Sequence, residues 1–353
     1  MIPPIAKLLI PATISFIVGI ILSPVLTHYL YKFKAWKKVG GKVALDGSEA
    51  NEFNRLHGHG ETKTPRMGGI VVWGSMFITT VGIALGARIF HYSQIAQLDF
   101  LTRSETWIPF FALMVGAVVG FVSDILDITF GGKGLALSKR LLIVFFLSAF
   151  IGWWFYAKLG VTAVDIPFAN PFEIGVLIIP LFIFVSLCLY ASGVIDGIDG
   201  LSGGVFASIF ASYTIIAFAE GQFELAAFCA TVVGGLLAFL WFNIPPARFY
   251  MSETGTMGIT LAIAVVAFMS DNLVGGIGIA VLPIIGALLV ATVVSNMLQV
   301  VWKRFFGKKL FRIAPLHHHF EAIGWPGTKV VMRYWVLSVI FAFAGVILAL
   351  SVL

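Results

Sequence analysis

Tyr190-Ala-Ser-Gly-Val-Ile-Asp-Gly-Ile-Asp-Gly-Leu-Ser-Gly-Gly204 joins two apolar runs, 174–189 and 205–219, and carries two carboxylates, Asp196 and Asp199. A charge at bilayer depth costs roughly 2.5–3.5 kcal/mol on insertion scales, so two such residues need a cation, a partner or water. Their spacing of three puts both on one side of a helical turn. Gly197 and Gly200 leave space for close approach of a ligand or another backbone. An ordinary polar turn between two helices also uses Asp-Gly, and this stretch alone leaves both readings open.

Outward from it the chain stays apolar. Of its 353 residues 59% are hydrophobic and 11% charged, with a mean hydropathy of +0.99; soluble domains carry about 25% charged residues. Runs long enough to cross a bilayer recur from one end to the other, which predicts an all-α polytopic membrane protein forming a single domain over 1–353. Ten spans are expected, at 5–31, 68–87, 107–122, 141–157, 174–193, 203–219, 223–241, 257–270, 278–301 and 334–352. Residues 1–7 lead into the first run without a small-residue cleavage site, so that span is expected to be retained. Cys188 and Cys229 both lie in apolar runs, which argues against a disulfide framework.

The loops after spans 1, 3, 7 and 9 hold 19 of the 23 lysines and arginines. That asymmetry predicts both termini outside and these four loops in the cytoplasm. The net charge of +6 is then mostly a topology signal, and no folded basic module presents it to nucleic acid. Nearly all polar information lies on the same side. A transporter usually shows midplane charges and broken helices in matching halves instead.

Four of those connections carry chemistry-bearing residues. The first contains Thr64-Pro-Arg-Met-Gly-Gly69, a basic loop whose amides could hold a phosphate but which also reads as an ordinary positive-inside loop. Span 3 ends in Ser123-Asp-Ile-Leu-Asp127, where two acids oppose the helix dipole and call for a cation, with Lys133 a nearby candidate. After span 7 comes Phe242-Asn-Ile-Pro-Pro-Ala-Arg-Phe-Tyr-Met-Ser-Glu-Thr-Gly-Thr256, in which Asn243 and Glu253 are the polar side chains best placed to reach inward. The last loop holds Pro315-Leu-His-His-His-Phe-Glu321. Adjacent histidines suit a metal poorly, and imidazoles donating to phosphate or sugar fit them better.

With these loops quoted, the chain resembles the phospho-N-acetylmuramoyl-pentapeptide transferase family of polyprenyl-phosphate sugar-1-phosphate transferases. The match runs over essentially the whole chain, and the histidine run points to the muramoyl-pentapeptide branch. The resemblance implies transfer of a phospho-sugar from UDP-MurNAc-pentapeptide to undecaprenyl phosphate, releasing UMP and leaving lipid I, with Mg²⁺ as cofactor. It implies Asp124, Asp196 and Asp199 as catalytic acids, Asp196 and Glu253 as metal ligands, and Thr64, Lys133, Asn243, His317, His318 and His319 as substrate-binding residues. It also implies a multi-pass protein of the bacterial inner membrane, working on its cytoplasmic side. Small residues at Gly275-Gly-Ile-Gly278 would permit a homodimer or serve packing within one bundle.

Several family positions are changed. Ser123 stands where the first of two paired aspartates is usual, Asp127 where a lysine is common, and Tyr190 and Gly193 where asparagines precede the Asp-Gly motif. Glu253 is one methylene longer than the family's aspartate. The base role assigned to the first aspartate therefore does not carry onto Ser123. Two other readings follow from these changes: a related transferase for another UDP-sugar such as UDP-GlcNAc, or a catalytically silent homologue that binds lipid or partner proteins.

Overall fold

The structure is a computed structural model that describes all residues except 1, 39–40, 42–53, 56–61, 91–93, 102–103, 131–133 and 272–274, together with the side chains of 104–105. Twelve helices are described in order: α1 (Pro4–Lys32), α2 (Gly69–Ile89), α3 (Ser104–Thr129), α4 (Leu137–Leu159), α5 (Ile178–Ser192), α6 (Leu201–Ala219), α7 (Phe223–Asn243), α8 (Ser252–Met269), α9 (Gly278–Ile285), α10 (Ala287–Phe306), α11 (Leu316–Ala322) and α12 (Gly327–Leu350). Among the described residues nine helices are long and apolar enough to cross a membrane, or ten when the bent pair α9–α10 counts as one span. The chain is an all-α polytopic membrane protein, as its hydropathy predicts. Cys188 and Cys229 are both free thiols.

The spans differ in how much of themselves they hide. In α8, 94% of the apolar window is buried inside the protein, against 22% in α1. So α8 is the central helix, and the peripheral ones present leucine, isoleucine and phenylalanine outward, where lipid chains replace water as their neighbours. Its closest partner is α3. Gly116 faces the backbone of Gly258, and Gly120 faces the carbonyl of Glu253, with no space for a methyl group at either glycine. With no water to drive helices together in a bilayer, close backbone approach of this kind supplies the packing energy.

Three boundaries depart from the hydropathy reading, each for a physical reason. α8 begins five residues before the expected 257, because its polar first turn is satisfied by buried partners rather than by water. The expected ninth span, 278–301, is broken: α9 and α10 meet at an angle of 69° beside Gly286. Pro283 lies inside α9, where it removes a backbone donor and opens the helix just before the break. The connection between α4 and α5 holds a two-residue antiparallel pair, β1 (Ala163–Val164) with β2 (Phe172–Glu173), in a loop whose sequence gives no strand signal.

At the end of the bundle where α6 and α8 finish, a second polar group is buried. Asp271 is fully buried and accepts from the N–H groups of Asp165 (3.1 Å) and Ile279 (3.0 Å). Beside it, Glu220 accepts from the Ser270 hydroxyl at 2.7 Å and from Gln222 at 3.1 Å. Burial pushes the Glu220 carboxyl up to about 7 against the opposing pull of those two donors.

Candidate active site

The other end of the bundle brings the motifs together. The end of α3, the 193–200 connection, the end of α7, the start of α8 and the short helix α11 all meet there. Their order in the chain explains why: every one of these pieces is an odd-numbered connection of the bundle.

Asp124, on the last turns of α3, is 1% exposed. Its Oδ2 accepts from the Ser252 hydroxyl (2.5 Å), the Thr254 N–H (2.8 Å) and the Thr254 hydroxyl (2.7 Å). Its other oxygen lies 3.1 Å from Arg66 Nη2, and Arg66 Nη1 sits 2.5 Å from Asp127. One arginine thus answers both acids at the unfavourable end of the helix dipole. The cation expected there was Lys133, which lies outside the described residues.

Arg66 is positioned by its own loop. Pro65, Gly68 and Gly69 pair backbone to backbone with Tyr250 and Met251, and Met67 N–H donates to Ser252 Oγ at 2.9 Å. Thr64 enters this pairing half-buried. Met67 and Ser252 both adopt the left-handed conformation, φ 69° and 55°. For residues bearing a Cβ this costs about 1–2 kcal/mol each. The hydrogen bonds around Ser252 hold it there.

Ser252 also reaches the Asp-Gly motif. Its N–H donates to Asp196 Oδ2 at 2.8 Å, while Ser202 donates to Asp196 Oδ1 at 2.7 Å. Asp199 accepts from the Ala247 N–H at 3.0 Å. Asn243, 1% exposed, receives the Gly200 N–H at 2.8 Å and donates to the Phe249 carbonyl at 2.9 Å, so both ends of its amide are taken up inside the protein. Asn243 thereby clasps the Asp196–Gly200 turn to the loop after α7.

Glu253 is ion-paired with Arg140 at the start of α4 and accepts from the Tyr190 hydroxyl at 3.3 Å. Tyr190 therefore supplies a donor to the acid at 253.

Of the three histidines, two reach the motif. His317 and His318 are 0% and 2% exposed, with ring centroids 4.4 Å apart. A methyl group on Gly197 would lie 2.5 Å from His318 Nε2 and 3.0 Å from His317 Nε2, so the glycine between the aspartates is what admits them. His318 Nδ1 is 2.8 Å from Glu321. In the neutral ring that carboxylate holds the proton on Nδ1 and leaves Nε2 as the acceptor facing Gly197. His319 is held elsewhere: its Nδ1 accepts the Arg312 N–H at 3.2 Å, and burial together with the Arg312 charge keeps its pKa below the usual histidine value.

Asp124 and Asp196 are thus joined through the single residue Ser252, with Asp199 on the same turn as Asp196 and Glu253 one residue beyond Ser252. Two arginines and two histidines stand among them. Such a mixture of acids and fixed cations is suited to a multiply charged anion brought in with a counter-ion. Among the described residues no three acids, histidines or cysteines are grouped closely enough to hold an ion by themselves. The donors are nonetheless of the right chemistry for a hard cation, which takes oxygen ligands such as carboxylates. Mg²⁺ is usually held by one or two carboxylates together with substrate phosphates.

Sequence reasoning missed Arg66, Arg140 and Ser252 as members of the site. The arginines were counted with the positive-inside charge. A pattern that would have exposed them is an acid at a helix C-terminus facing a basic residue in the neighbouring cytoplasmic loop.

This fold and site define a multi-pass membrane transferase. The sequence model described as Glycosyl transferase family 4 matches residues 106–271, which include Asp124, Asp196, Asp199, Asn243 and Glu253. The chain is similar over nearly its whole length to proteins named phospho-N-acetylmuramoyl-pentapeptide-transferase. That of Geobacillus sp. (strain WCH70) is 31% identical over 337 residues, 94% of this chain and 95% of the relative. That of Clostridium perfringens (strain 13 / Type A) is 32% identical over 345 residues, 96% and 97%. The chain belongs to the phospho-N-acetylmuramoyl-pentapeptide-transferase family, and with these bacterial relatives and its long apolar helices it is a multi-pass protein of the bacterial inner membrane.

Proposed function

We propose that the chain transfers phospho-N-acetylmuramoyl-pentapeptide from a UDP-linked donor to undecaprenyl phosphate, giving lipid I and UMP, on the cytoplasmic side of the membrane with both termini outside. The observation that carries this reading is the convergence on Ser252 of carboxylates from α3 and from the Asp-Gly motif, with Arg66 and Arg140 beside them. The lysine and arginine distribution supports the orientation.

In this reaction an oxygen of the lipid phosphate attacks the sugar-bound phosphorus of the donor. A new P–O–P bridge forms, the bond to the uridylate breaks, and UMP carries away the electron pair. A phosphate monoester has a second pKa near 6, so at pH 7 the nucleophile is largely ionised and serine at 123 removes no necessary base. The difficulty is electrostatic, because two anions must meet. Arg66 and Arg140 supply fixed positive charge, and His317 and His318 offer ring nitrogens beside Asp196 and Asp199. Asn243 acts by holding Gly200, and with it the turn that carries both aspartates. Thr64 and Lys133, flanking the site in sequence, are proposed to contact the phosphates.

Mg²⁺, when bound, would neutralise charge on the pyrophosphate as a Lewis acid, and Asp196 and Glu253 are the residues proposed to hold it. Arg140 competes with the ion for Glu253. Asp124 acts through Ser252: it fixes the residue whose N–H orients Asp196.

The test is UMP release by the purified chain from UDP-N-acetylmuramoyl-pentapeptide and undecaprenyl phosphate, with Mg²⁺ and with a chelator. Release that needs Mg²⁺ and disappears in Asp199→Asn is expected. Equal release from UDP-N-acetylglucosamine, or none from either donor, would overturn the reading.

A further inference from the structure

The turn that carries Asp199 is held from behind by the last helix. Leu201 donates its N–H to the Ile198 carbonyl at 3.0 Å, and Gly200 between them has φ 82° and ψ −10°. Those are the angles of the third residue in a type II turn, which makes Asp199 the second. Type II differs from type I only in the two dihedrals flanking the peptide that joins these residues. Glycine accepts either sign of φ. The sequence of the turn therefore leaves this peptide free to flip, and a flip would re-aim Asp199. A group outside the turn has to choose.

Two side chains do so, from opposite sides. Asn243 accepts the Gly200 N–H, which belongs to that peptide, and Trp335 of α12 donates its indole N–H to the Gly200 carbonyl at 3.1 Å. The peptide planes before and after Gly200 are both fixed as a result. α12 meets the motif along one face, through positions 327, 331 and 335, spaced at one turn of helix. A methyl group on Gly327 would lie 3.3 Å from Ile198, and one on Gly200 would lie 3.6 Å from Val331 and 3.9 Å from the Trp335 ring. The indole also rests on the first turn of α6, where a methyl group on Gly204 would overlap Trp335 Nε1. Gly197 admits the histidines on one side of the turn, and Gly204 admits the tryptophan on the other. Tyr334, next to Trp335, packs edge-on to His317 with ring centroids 6.3 Å apart. The same helix thus backs the aspartate turn and the histidine pair.

We infer that Trp335 is a positioning residue for the transfer: by holding the Gly200 carbonyl it keeps the turn in its type II form and so aims Asp199. The inference rests on the transferase reading above and deepens it. It assigns a support of the motif's second aspartate to a helix beyond residues 106–271, which contain the acids themselves.

The experiment places at position 335 a tryptophan analogue with sulfur in place of the indole N–H, alongside Trp335→Phe, in the full chain in nanodiscs. Isothermal titration with UDP-N-acetylmuramoyl-pentapeptide, without acceptor, gives the donor bound per chain, and UMP release is then expressed per bound donor. A misfolded fraction lowers the first quantity and leaves the second unchanged. Both variants are expected to bind donor with wild-type stoichiometry and affinity and to release UMP about tenfold more slowly. By the relation of 1.36 kcal/mol per factor of ten, that is the effect of one hydrogen bond. A ring-fluorinated tryptophan, which keeps the N–H, should run at the wild-type rate. A wild-type rate with the sulfur analogue, a loss confined to the amount of donor bound, or an equal loss with the fluorinated ring overturns the assignment. If the wild type releases no UMP, the transferase reading falls and takes this one with it; wild-type release matched by the sulfur analogue defeats Trp335 alone.

Discussion

Asp124 and Thr254 stand 130 positions apart in the chain and are fastened through one carboxylate oxygen, which accepts both the N–H and the hydroxyl of the threonine. This clasp seals the α3–α8 pair at its polar end, where Arg66 meets the second oxygen. Asp124→Ala would leave the buried Thr254 N–H without its acceptor and half-buried Arg66 with Asp127 as its remaining acid. Removing one member of a buried charged pair costs about 3–5 kcal/mol. Asp124→Asn keeps the shape and one acceptor, and should cost about 1–3 kcal/mol. Thermal unfolding in detergent should therefore rank wild type above Asn and Asn above Ala. Indistinguishable midpoints would mean that the clasp does not form.

Gly197 is the position at which the histidine helix touches the aspartate turn. Adding a methyl group there places a carbon 2.5 Å from His318 Nε2, so α11 must withdraw. Gly197→Ala is expected to keep the fold and lose on the order of 10²-fold in kcat/KM, the size of effect that a displacement of about 1 Å can produce. Activity within twofold of wild type would separate His318 from the reaction.

Arg140 and Glu253 form an ion pair in which each is half-shielded from water, with side-chain exposures of 21% and 24%. A double-mutant cycle with Arg140→Gln and Glu253→Gln should give a coupling energy of about 0.5–3 kcal/mol in stability. Arg140→Lys should restore only part of it, because the ammonium lacks the guanidinium's fixed fork. Strict additivity of the single changes would remove the pair.

How much of this was legible beforehand depended on what each residue costs. Asp196 and Asp199 announced themselves because carboxylates between apolar runs are expensive, and the ten-span bundle followed from run length alone. Arg66 and Arg140 were hidden by abundance, since a cation in a basic loop looks like its neighbours until the fold places it against an acid. Ser252 could not be read at all: its left-handed backbone and its three bonds are products of tertiary packing. The break beside Gly286 did have a signal, Pro283 followed closely by glycine, which run-length reasoning averaged away. The early start of α8 was concealed because Glu253 and Thr254 lower the hydropathy of a turn that is in fact buried.

The far end of the bundle carries its own pH dependence. Glu220 titrates near 7 in the folded protein, raised from about 4.5 by burial. Folding thus favours the protonated acid. Its contribution to stability is complete below the ordinary glutamate range, and is lost as the pH rises through 7. Between pH 5 and pH 8, roughly bracketing that window, wild-type unfolding midpoints should fall, and Glu220→Gln should flatten the slope. An unchanged slope in Glu220→Gln would assign the dependence to other groups.

The acid at 253 rides on the first turn of a helix whose remaining residues, out to Met269, are enclosed on every side. Such a helix works like a rod in a fitted sleeve: it has no room to slide, so the substrate has to come to the carboxylate. A bulkier side chain deep in the sleeve, as in Gly258→Ala against the α3 backbone, would force α3 and α8 apart and register at Glu253, more than a turn away. Loss of activity in this protein can therefore originate far from any charged residue.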